Sequence, residues 1–202
     1  MTTIAKLVKD WETKNARSVA KASGISMMAL SLAACGGGGS APAPVVVVEV
    51  VPITSALTIW NDTVTGTTAD DVVTGARIDT VQVFNSGDSI VLGDGNDSLS
   101  ATLNAGTVTP VAMTGVENVM FTVLGDATVD FDNVSGVTSI ISRGSSATLL
   151  VDDIQEIPTS ISINNNTAVQ TFVIKDSAVS GASDSITLNF DGVGGVVNVG
   201  GE

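Results

Sequence analysis

Residues 93–100 read Gly93-Asp94-Gly95-Asn96-Asp97-Ser98-Leu99-Ser100, so a glycine-rich acidic turn leads directly into an alternating strand pattern. Part of this stretch, an aspartate followed two positions later by an apolar residue, also occurs at four earlier places in the sequence. The five aspartates are Asp62, Asp71, Asp79, Asp88 and Asp97, followed by Val64, Val73, Val81, Ile90 and Leu99. The aspartates are nine, eight, nine and nine residues apart. A period of about nine residues that joins an acidic turn to an apolar strand position predicts a parallel β-roll with Ca²⁺ between its turns.

The stretch at residues 93–100 resembles positions two to nine of the RTX nonapeptide GGxGxDxUx, with Leu92 at the first position. The resemblance implies that carboxylates and turn carbonyls of neighbouring coils share Ca²⁺, which accepts roughly six to eight oxygen ligands. The implied metal ligands are Asp97, Gly93, Gly95, Asp79, Asp88, Asp71 and Asp62. Coils of two units, about eighteen residues long, would pair Asp79 with Asp97, Asp71 with Asp88 and Asp62 with Asp79. The alternative is that each aspartate holds its turn by bonding nearby amides.

Charge is distributed unevenly along the 202 residues. Five of the eight basic residues precede residue 22, whereas from Gly36 onward 19 acidic side chains face only Arg77, Arg143 and Lys175, a formal net charge of −16. Such a surface repels nucleic-acid phosphates and attracts divalent cations. We therefore expect no nucleic-acid partner and a Ca²⁺ cofactor.

Residues 1–35 are predicted to form a basic leader, helical or disordered, that ends in an apolar run. Leu32-Ala33-Ala34-Cys35 resembles the lipobox of bacterial lipoprotein signal peptides, which implies lipidation of Cys35. The apolar run at residues 25–34 is too short to span a bilayer. One alternative is a buried or uncleaved apolar segment. Another is a basic amphipathic helix that rests on a membrane surface or belongs to a retained N-terminal anchor, with the apolar residues Ile4, Leu7, Val8, Trp11 and Val19 on one face.

The rest of the chain divides into a tether, a β-roll and a β-helix. Residues 36–54 are rich in Gly, Pro and Val, residues 55–103 carry the nine-residue repeat, and residues 104–202 show longer rungs. In the longer rungs, related strand patterns recur in steps of 21 residues. We therefore predict an all-β fold, a parallel β-roll and β-helix solenoid. No terminal cap is recognisable after residue 196, so the chain is expected to be a fragment or to be capped by self-association.

The array and its longer rungs together resemble RTX-type S-layer and adhesin proteins of Gram-negative bacteria. This resemblance implies a non-enzymatic, Ca²⁺-stabilised surface protein, located at the outer membrane or outside the cell. The expected partners are further copies of the chain, or surface glycan and lipopolysaccharide, with the membrane contacted through the N-terminal lipid or leader. The alternative function is a lipid-anchored module that binds a glycan or a protein.

A β-helical polysaccharide-degrading enzyme is the third interpretation. The acidic residues that could form its catalytic pair are Asp130, Asp132, Asp152 and Asp153. However, the chain has no His and no Tyr, and its only cysteine is Cys35. The usual nucleophile and base combinations therefore cannot be assembled, and we expect no enzymatic activity.

Overall fold

The structure is a computed structural model that describes residues 49–180 and 184–201. The leader at residues 1–35, with Cys35, and most of the tether lie outside the described residues. The described residues form β-strands and no helix: β1 (Thr54–Ala56), β2 (Thr63–Thr65), β3 (Val72–Gly75), β4 (Ser89–Val91), β5 (Ser98–Leu103), β6 (Gly106–Val108), β7 (Ala112–Thr114), β8 (Asn118–Val123), β9 (Ala127–Asp130), β10 (Val134–Ser135), β11 (Ser139–Arg143), β12 (Leu149–Ile154), β13 (Ser160–Asn164), β14 (Gln170–Ile174), β15 (Thr187–Asp191) and β16 (Val197–Gly201). No helix in this part of the chain has the length and apolar character needed to cross a membrane.

The strands stack in three parallel sheets. The first sheet has seven strands in the order β1-β3-β5-β8-β11-β13-β15, the second has the order β10-β7-β4-β2, and the third has the order β16-β14-β12-β9-β6. Neighbours within each sheet come from successive passes of the chain, which is the arrangement of a parallel β-solenoid. The predicted all-β fold of parallel strands is confirmed for the described residues.

Alternation of side chains along the strands builds one continuous core. In β5 and β8 every second residue is buried, and the intervening residues are half-buried. Register places Val73, Leu99, Val119, Ile140 and Ile161 one above another in the first sheet. Each of these five side chains is at most 1% exposed. Burying each one contributes about 1.5–3 kcal/mol, so the column is a main source of stability.

The length of the rungs departs from the prediction near the start of the solenoid. Thr54 pairs with Val72, which is the predicted coil of eighteen residues, but Val72 pairs with Ser98, 26 positions later. The extra residues include a small antiparallel hairpin in which Ile78 bridges Val81. Beyond the hairpin, Val83 and Phe84 return to the core, and the Phe84 ring stacks on that of Phe121 with centroids 6.4 Å apart. A uniform two-unit coil was therefore the wrong prediction.

The later rungs follow the predicted spacing. Asn118 pairs with Ser139, and Ser139 pairs with Ser160, so the steps of 21 residues are confirmed in the first sheet. The last step is longer, because Ser160 pairs with Thr187.

One corner of these rungs is polar although it is buried. Asn166 donates from Nδ2 to Ser142 Oγ at 2.8 Å and accepts the Ser145 backbone N–H at 2.9 Å through Oδ1. Ser142 Oγ in turn donates to Gln170 Oε1 at 2.7 Å. All four residues are at most 1% exposed. Since every one of them finds partners, this network stabilises the turn instead of weakening the core.

Candidate metal site at the Asp97 turn

A ladder of carboxylates runs along the entrance to the first sheet. Each carboxylate accepts the backbone N–H of the equivalent residue one rung earlier: Asp71 Oδ1 from Ile53 at 2.7 Å, Asp97 Oδ1 from Asp71 at 2.6 Å, and Glu117 Oε2 from Asp97 at 2.8 Å. Charge-assisted bonds of this kind are stronger than bonds between neutral groups. The ladder therefore fixes the spacing of successive turns.

A second, shorter ladder precedes the second sheet. Asp88 Oδ1 accepts the Asp62 backbone N–H at 2.9 Å across 26 positions. The observed pairs are thus Asp71 with Asp97 and Asp62 with Asp88. The predicted pairs, which were two nine-residue units apart, are wrong because the inserted hairpin adds one unit to this coil.

Asp79 belongs to neither ladder. It lies in the hairpin turn between Ile78 and Val81, with a positive φ of 54°. Its side chain is exposed, as are those of both flanking bridge residues. The structure therefore does not bring Asp79 to Asp97 as a partner across a coil.

Three of the ladder aspartates are also bonded within their own turns. Thr58 N donates to Asp62 Oδ2 at 2.6 Å, and Thr67 N donates to Asp71 Oδ2 at 2.6 Å. Asn85 N donates to Asp88 Oδ2 at 2.9 Å. The second carboxylate oxygen of each of these aspartates consequently has a donor. This is the amide-bonding role that the sequence left open as an alternative.

Asp97 differs from the other three. Four positions before Asp97, the chain has Gly93 at a φ of +99°, in the place that Thr58 and Thr67 occupy in their turns. Asp97 is fully buried, and its Oδ2 is the one buried side-chain oxygen or nitrogen of the described residues without a hydrogen-bond partner. An unsatisfied buried carboxylate oxygen costs several kcal/mol or requires a cation or water beside it.

The charges around Asp97 favour a cation. Burial raises the pKa of Asp97 above its ordinary value, the Asp71 N–H bond opposes this rise, and the charges of Asp71, Glu117 and Asp70 add to it. In Asp71, burial also acts to raise the pKa, but bonds from Ile53 and Thr67 outweigh it and the pKa is lowered. Within residues 49–180 and 184–201, the ion pairs are those of Lys175 with Asp132 and Asp153. No basic side chain in these ranges therefore forms an ion pair with Asp97 or the acids around it.

Glycine at positions 93 and 95 lets the turns approach each other closely. A Cβ on Gly93 would lie 2.7 Å from Thr67 O, and one on Gly95 would lie 2.7 Å from Ala69 O and 2.8 Å from Asp97 Oδ1. Both glycines have positive φ, at 99° and 138°. Carbonyl oxygens of the earlier turn thus lie against the Asp97 turn. Asp97 Oδ2 and these carbonyls are oxygen donors of the kind that Ca²⁺ prefers, so the chemistry of the residues at this turn fits this ion.

A second acidic cluster lies on the third sheet. Asp130, Asp132 and Asp153 each offer a carboxylate oxygen, and these oxygens lie within 4.8 Å of one another, so the group could hold a metal ion. Lys175 Nζ lies 2.6 Å from Asp132 Oδ1 and 3.2 Å from Asp153 Oδ1. These hydrogen bonds raise the pKa of Lys175, the bond to Asp132 more than that to Asp153. The cluster therefore already contains a cation supplied by the chain.

Sequence reasoning missed two acidic residues near Asp97 in the stacked turns, Glu117 and Asp70. Glu117 continues the ladder, and Asp70 Oδ1 accepts the Asn96 backbone N–H at 2.8 Å. The signal for Glu117 was present, because Glu117-Asn118-Val119 repeats the order of acid, polar residue and apolar residue of Asp97-Ser98-Leu99. The position of Asp70 follows only from the register of the stacked turns.

Comparison of the chain with protein families, with curated proteins and with solved structures found no match.

Proposed function

We propose that this protein is a calcium-stabilised structural protein of a bacterial cell surface, in which Ca²⁺ at the Asp97 turn locks the start of a β-solenoid that assembles with further copies. One observation carries the proposal: Asp97 Oδ2 is buried without a donor, whereas the equivalent oxygens of Asp62, Asp71 and Asp88 are bonded within their turns. The proposed ligands of the Ca²⁺ ion are Asp97 Oδ2 and the carbonyl oxygens of Thr67 and Ala69, which lie close to Gly93 and Gly95 of the same turn. We therefore propose one Ca²⁺ site, at the Asp97 turn.

Calcium at this turn has a structural role. Asp70, Asp71, Asp97 and Glu117 carry like charges that repel one another when the rungs stack. A divalent cation turns this repulsion into attraction, and because the turns come together only in the folded chain, binding energy adds to folding energy. The absence of His and Tyr from the chain supports a structural role over catalysis. The lipobox-like Cys35 supports attachment to a membrane.

The test is thermal unfolding of the full chain, followed by circular dichroism, in calcium and in chelator. Calcium at about a hundredfold excess over its Kd should add roughly 2.7 kcal/mol to the free energy of unfolding. Asp97→Asn should abolish this gain. Asp94→Asn is the matched control, because it removes one exposed charge from the same turn and should keep the gain.

Two results would count against the proposal. One is an unfolding temperature that is the same in calcium and in chelator. The other is an Asp97→Asn variant that keeps the whole calcium effect. Electron microscopy of the calcium-loaded chain then tests for ordered assemblies.

A further inference from the structure

The outer face of the first sheet carries little charge. Side chains alternate along its strands, so the residues between the buried ones point away from the core. Over all seven strands these outward positions hold two charged side chains, Arg143 and Asp191, and the others are Ser, Thr, Asn, Ala, Val, Met and Ile. The chain has 19 acidic residues from Gly36 onward, so this face differs from the protein as a whole.

Two apolar side chains lie at the centre of this face. Met120 of β8 pairs in register with Ile141 of β11, and these are the fourth and fifth of the seven strands. Ser100 and Ser162 continue the row on either side. Met120 and Ile141 are half-buried, so part of each side chain is open to contact. An apolar centre within a polar margin is the arrangement of protein–protein interfaces, in which Met is enriched.

Charge favours a second copy of the chain as the partner. From Gly36 onward the formal net charge is −16, so two copies repel each other across most of their surfaces. The outer face of the first sheet avoids this repulsion, because it holds one cation and one acid. In a two-fold dimer the same patch meets itself, so the apolar pair of one copy would lie against the apolar pair of the other.

Arg143 indicates how the two copies are oriented. It is exposed at the end of β11, and within residues 49–180 and 184–201 it forms no ion pair. Glu117 lies directly before β8, at the opposite end of the strands. If the strands of the two copies run antiparallel, the Arg143 end of one face lies over the Glu117 end of the other. Each copy then supplies a cation to an acid of its partner.

The size of this face is sufficient for a dimer. Seven strands about 4.8 Å apart cover about 34 Å, and about five residues at 3.3 Å each cover about 17 Å. Each copy thus contributes about 570 Å², and the dimer buries about 1,100 Å². This area exceeds the roughly 1,000 Å² expected of a specific interface.

We propose that two copies of this chain form a two-fold dimer through the outer faces of their first sheets, with Met120 and Ile141 at the centre and the strands of the two sheets antiparallel. The sheets pack face to face, about 10 Å apart. Arg143 of each copy contacts Glu117 of the partner subunit. The inference rests on the assembly part of the proposed function and names the surface through which copies meet.

The experiment measures the mass of the full chain by analytical ultracentrifugation, in calcium and with a reductant that keeps Cys35 free. The wild-type chain should have twice the mass of one chain. Met120→Glu places an acid at the centre of the face, where it meets its own copy, so this variant should be monomeric. Thr128→Glu adds the same charge at an outward position of the third sheet and should remain dimeric. Arg143→Glu should weaken the dimer roughly tenfold.

Mixing two variants of Met120 provides the decisive arm. Met120→Glu and Met120→Lys should each be monomeric alone, because like charges meet at the two-fold axis. Their equimolar mixture should form dimers, since Glu then faces Lys. This result also shows that both variants are folded.

Four results would overturn the proposal: a monomeric wild-type chain, a mixture that stays monomeric, a Thr128→Glu variant that is monomeric, or a Met120→Glu variant that stays dimeric. The last result would place the contact in another part of the chain, such as the residues before 49. The calcium effect on unfolding is measured separately, so a monomeric wild-type chain with an intact calcium effect refutes this inference alone.

Discussion

At the scale of single residues, four aspartates in similar turns have different surroundings. Asp62, Asp71 and Asp88 receive backbone N–H donors from their own turns, whereas Asp97 Oδ2 has no donor. The first two turns have threonine four positions before the aspartate, and the Asp97 turn has Gly93 there, with a positive φ of 99°. The same glycine allows the earlier turn to approach closely. Gly93 is therefore the position at which the Asp97 turn differs from the first two turns and leaves room for the turn before it.

The close approach at Gly93 can be measured by replacing it with alanine. Gly93 and Gly106 both have positive φ, at 99° and 111°, but a Cβ on Gly93 would lie 2.7 Å from Thr67 O whereas one on Gly106 meets nothing within 4 Å. Gly106→Ala should cost about 1–2 kcal/mol from backbone strain alone. Gly93→Ala should cost roughly 1–3 kcal/mol more, since the turns must shift. Urea unfolding in chelator measures both, and equal losses would contradict the stacking of these turns.

Acidification should stabilise the calcium-free protein through Asp88. Burial raises the pKa of Asp88 above 3.8; bonds from Asn85 and Asp62 oppose the rise, and the charge of Asp62 adds to it. The folded state then binds this proton at a higher pH than the unfolded chain does. The contribution of Asp88 to the free energy of unfolding therefore rises as pH falls through the folded-state pKa, and it levels off below 3.8.

Denaturant unfolding of the wild type and Asp88→Asn isolates this contribution. The stability of the wild type relative to the variant should increase as the pH is lowered from about 7 towards 4, because only the wild type takes up the proton. A difference that stays constant or shrinks over this range would show that burial does not control the ionisation of Asp88.

At the scale of strands and turns, sequence predicted the parallel rungs and their step of 21 residues. Alternating apolar residues determine which face of a strand is buried, and a shift of one residue would expose the whole set. The 26-residue rung could not be predicted in this way, because Asp79-Thr80-Val81 has the same local pattern as Asp62-Thr63-Val64. In the structure Phe84 is buried and stacks on Phe121, a contact between distant parts of the chain that this local pattern does not contain.

The candidate site, too, could be predicted only in part, because one of its features is local in the sequence and the other depends on the length of the coil. Local glycine content singled out the turn at Asp97, whereas the choice of partner depended on the length of the coil. The inserted hairpin changed that partner from Asp79 to Asp71. Glycine content also could not reveal which carboxylate oxygen lacks a donor, because hydrogen bonding within a turn depends on backbone geometry.

The buried polar corner between β11 and β14 should behave as one unit. Asn166→Ala leaves the Ser145 N–H without its acceptor and should cost about 1–3 kcal/mol. Ser142→Ala removes the hydroxyl that joins Asn166 to Gln170. Because the two residues share this network, a double-mutant cycle by urea unfolding should give a coupling of roughly 0.5–3 kcal/mol. Additive losses would mean that the contacts act independently.

Lys175 should hold the acidic cluster of the third sheet together. Lys175→Met removes the cation between Asp132 and Asp153 and leaves them beside Asp130 without neutralisation. The variant should melt at a lower temperature than the wild type in low salt, and added calcium should restore part of the loss. Lys175→Arg keeps the charge and serves as the control. An unchanged melting temperature for Lys175→Met in chelator would show that the cluster needs no counter-ion.

At the scale of the whole molecule, the negative charge of the chain and the stacking of its rungs oppose each other. From Gly36 onward the formal net charge is −16, and the ladder acids concentrate part of it at the first turns of the solenoid. A bound cation at these turns would reduce the repulsion between the stacked carboxylates and so stabilise the start of the solenoid.

The proposed Ca²⁺ ion at the Asp97 turn can be located directly. A crystal structure of the calcium-loaded protein, with anomalous diffraction recorded at a long wavelength, locates calcium directly. We predict an anomalous peak about 2.3–2.6 Å from Asp97 Oδ2. An ordered Asp97 turn without a peak, or a peak confined to the cluster of Asp130, Asp132 and Asp153, would contradict it.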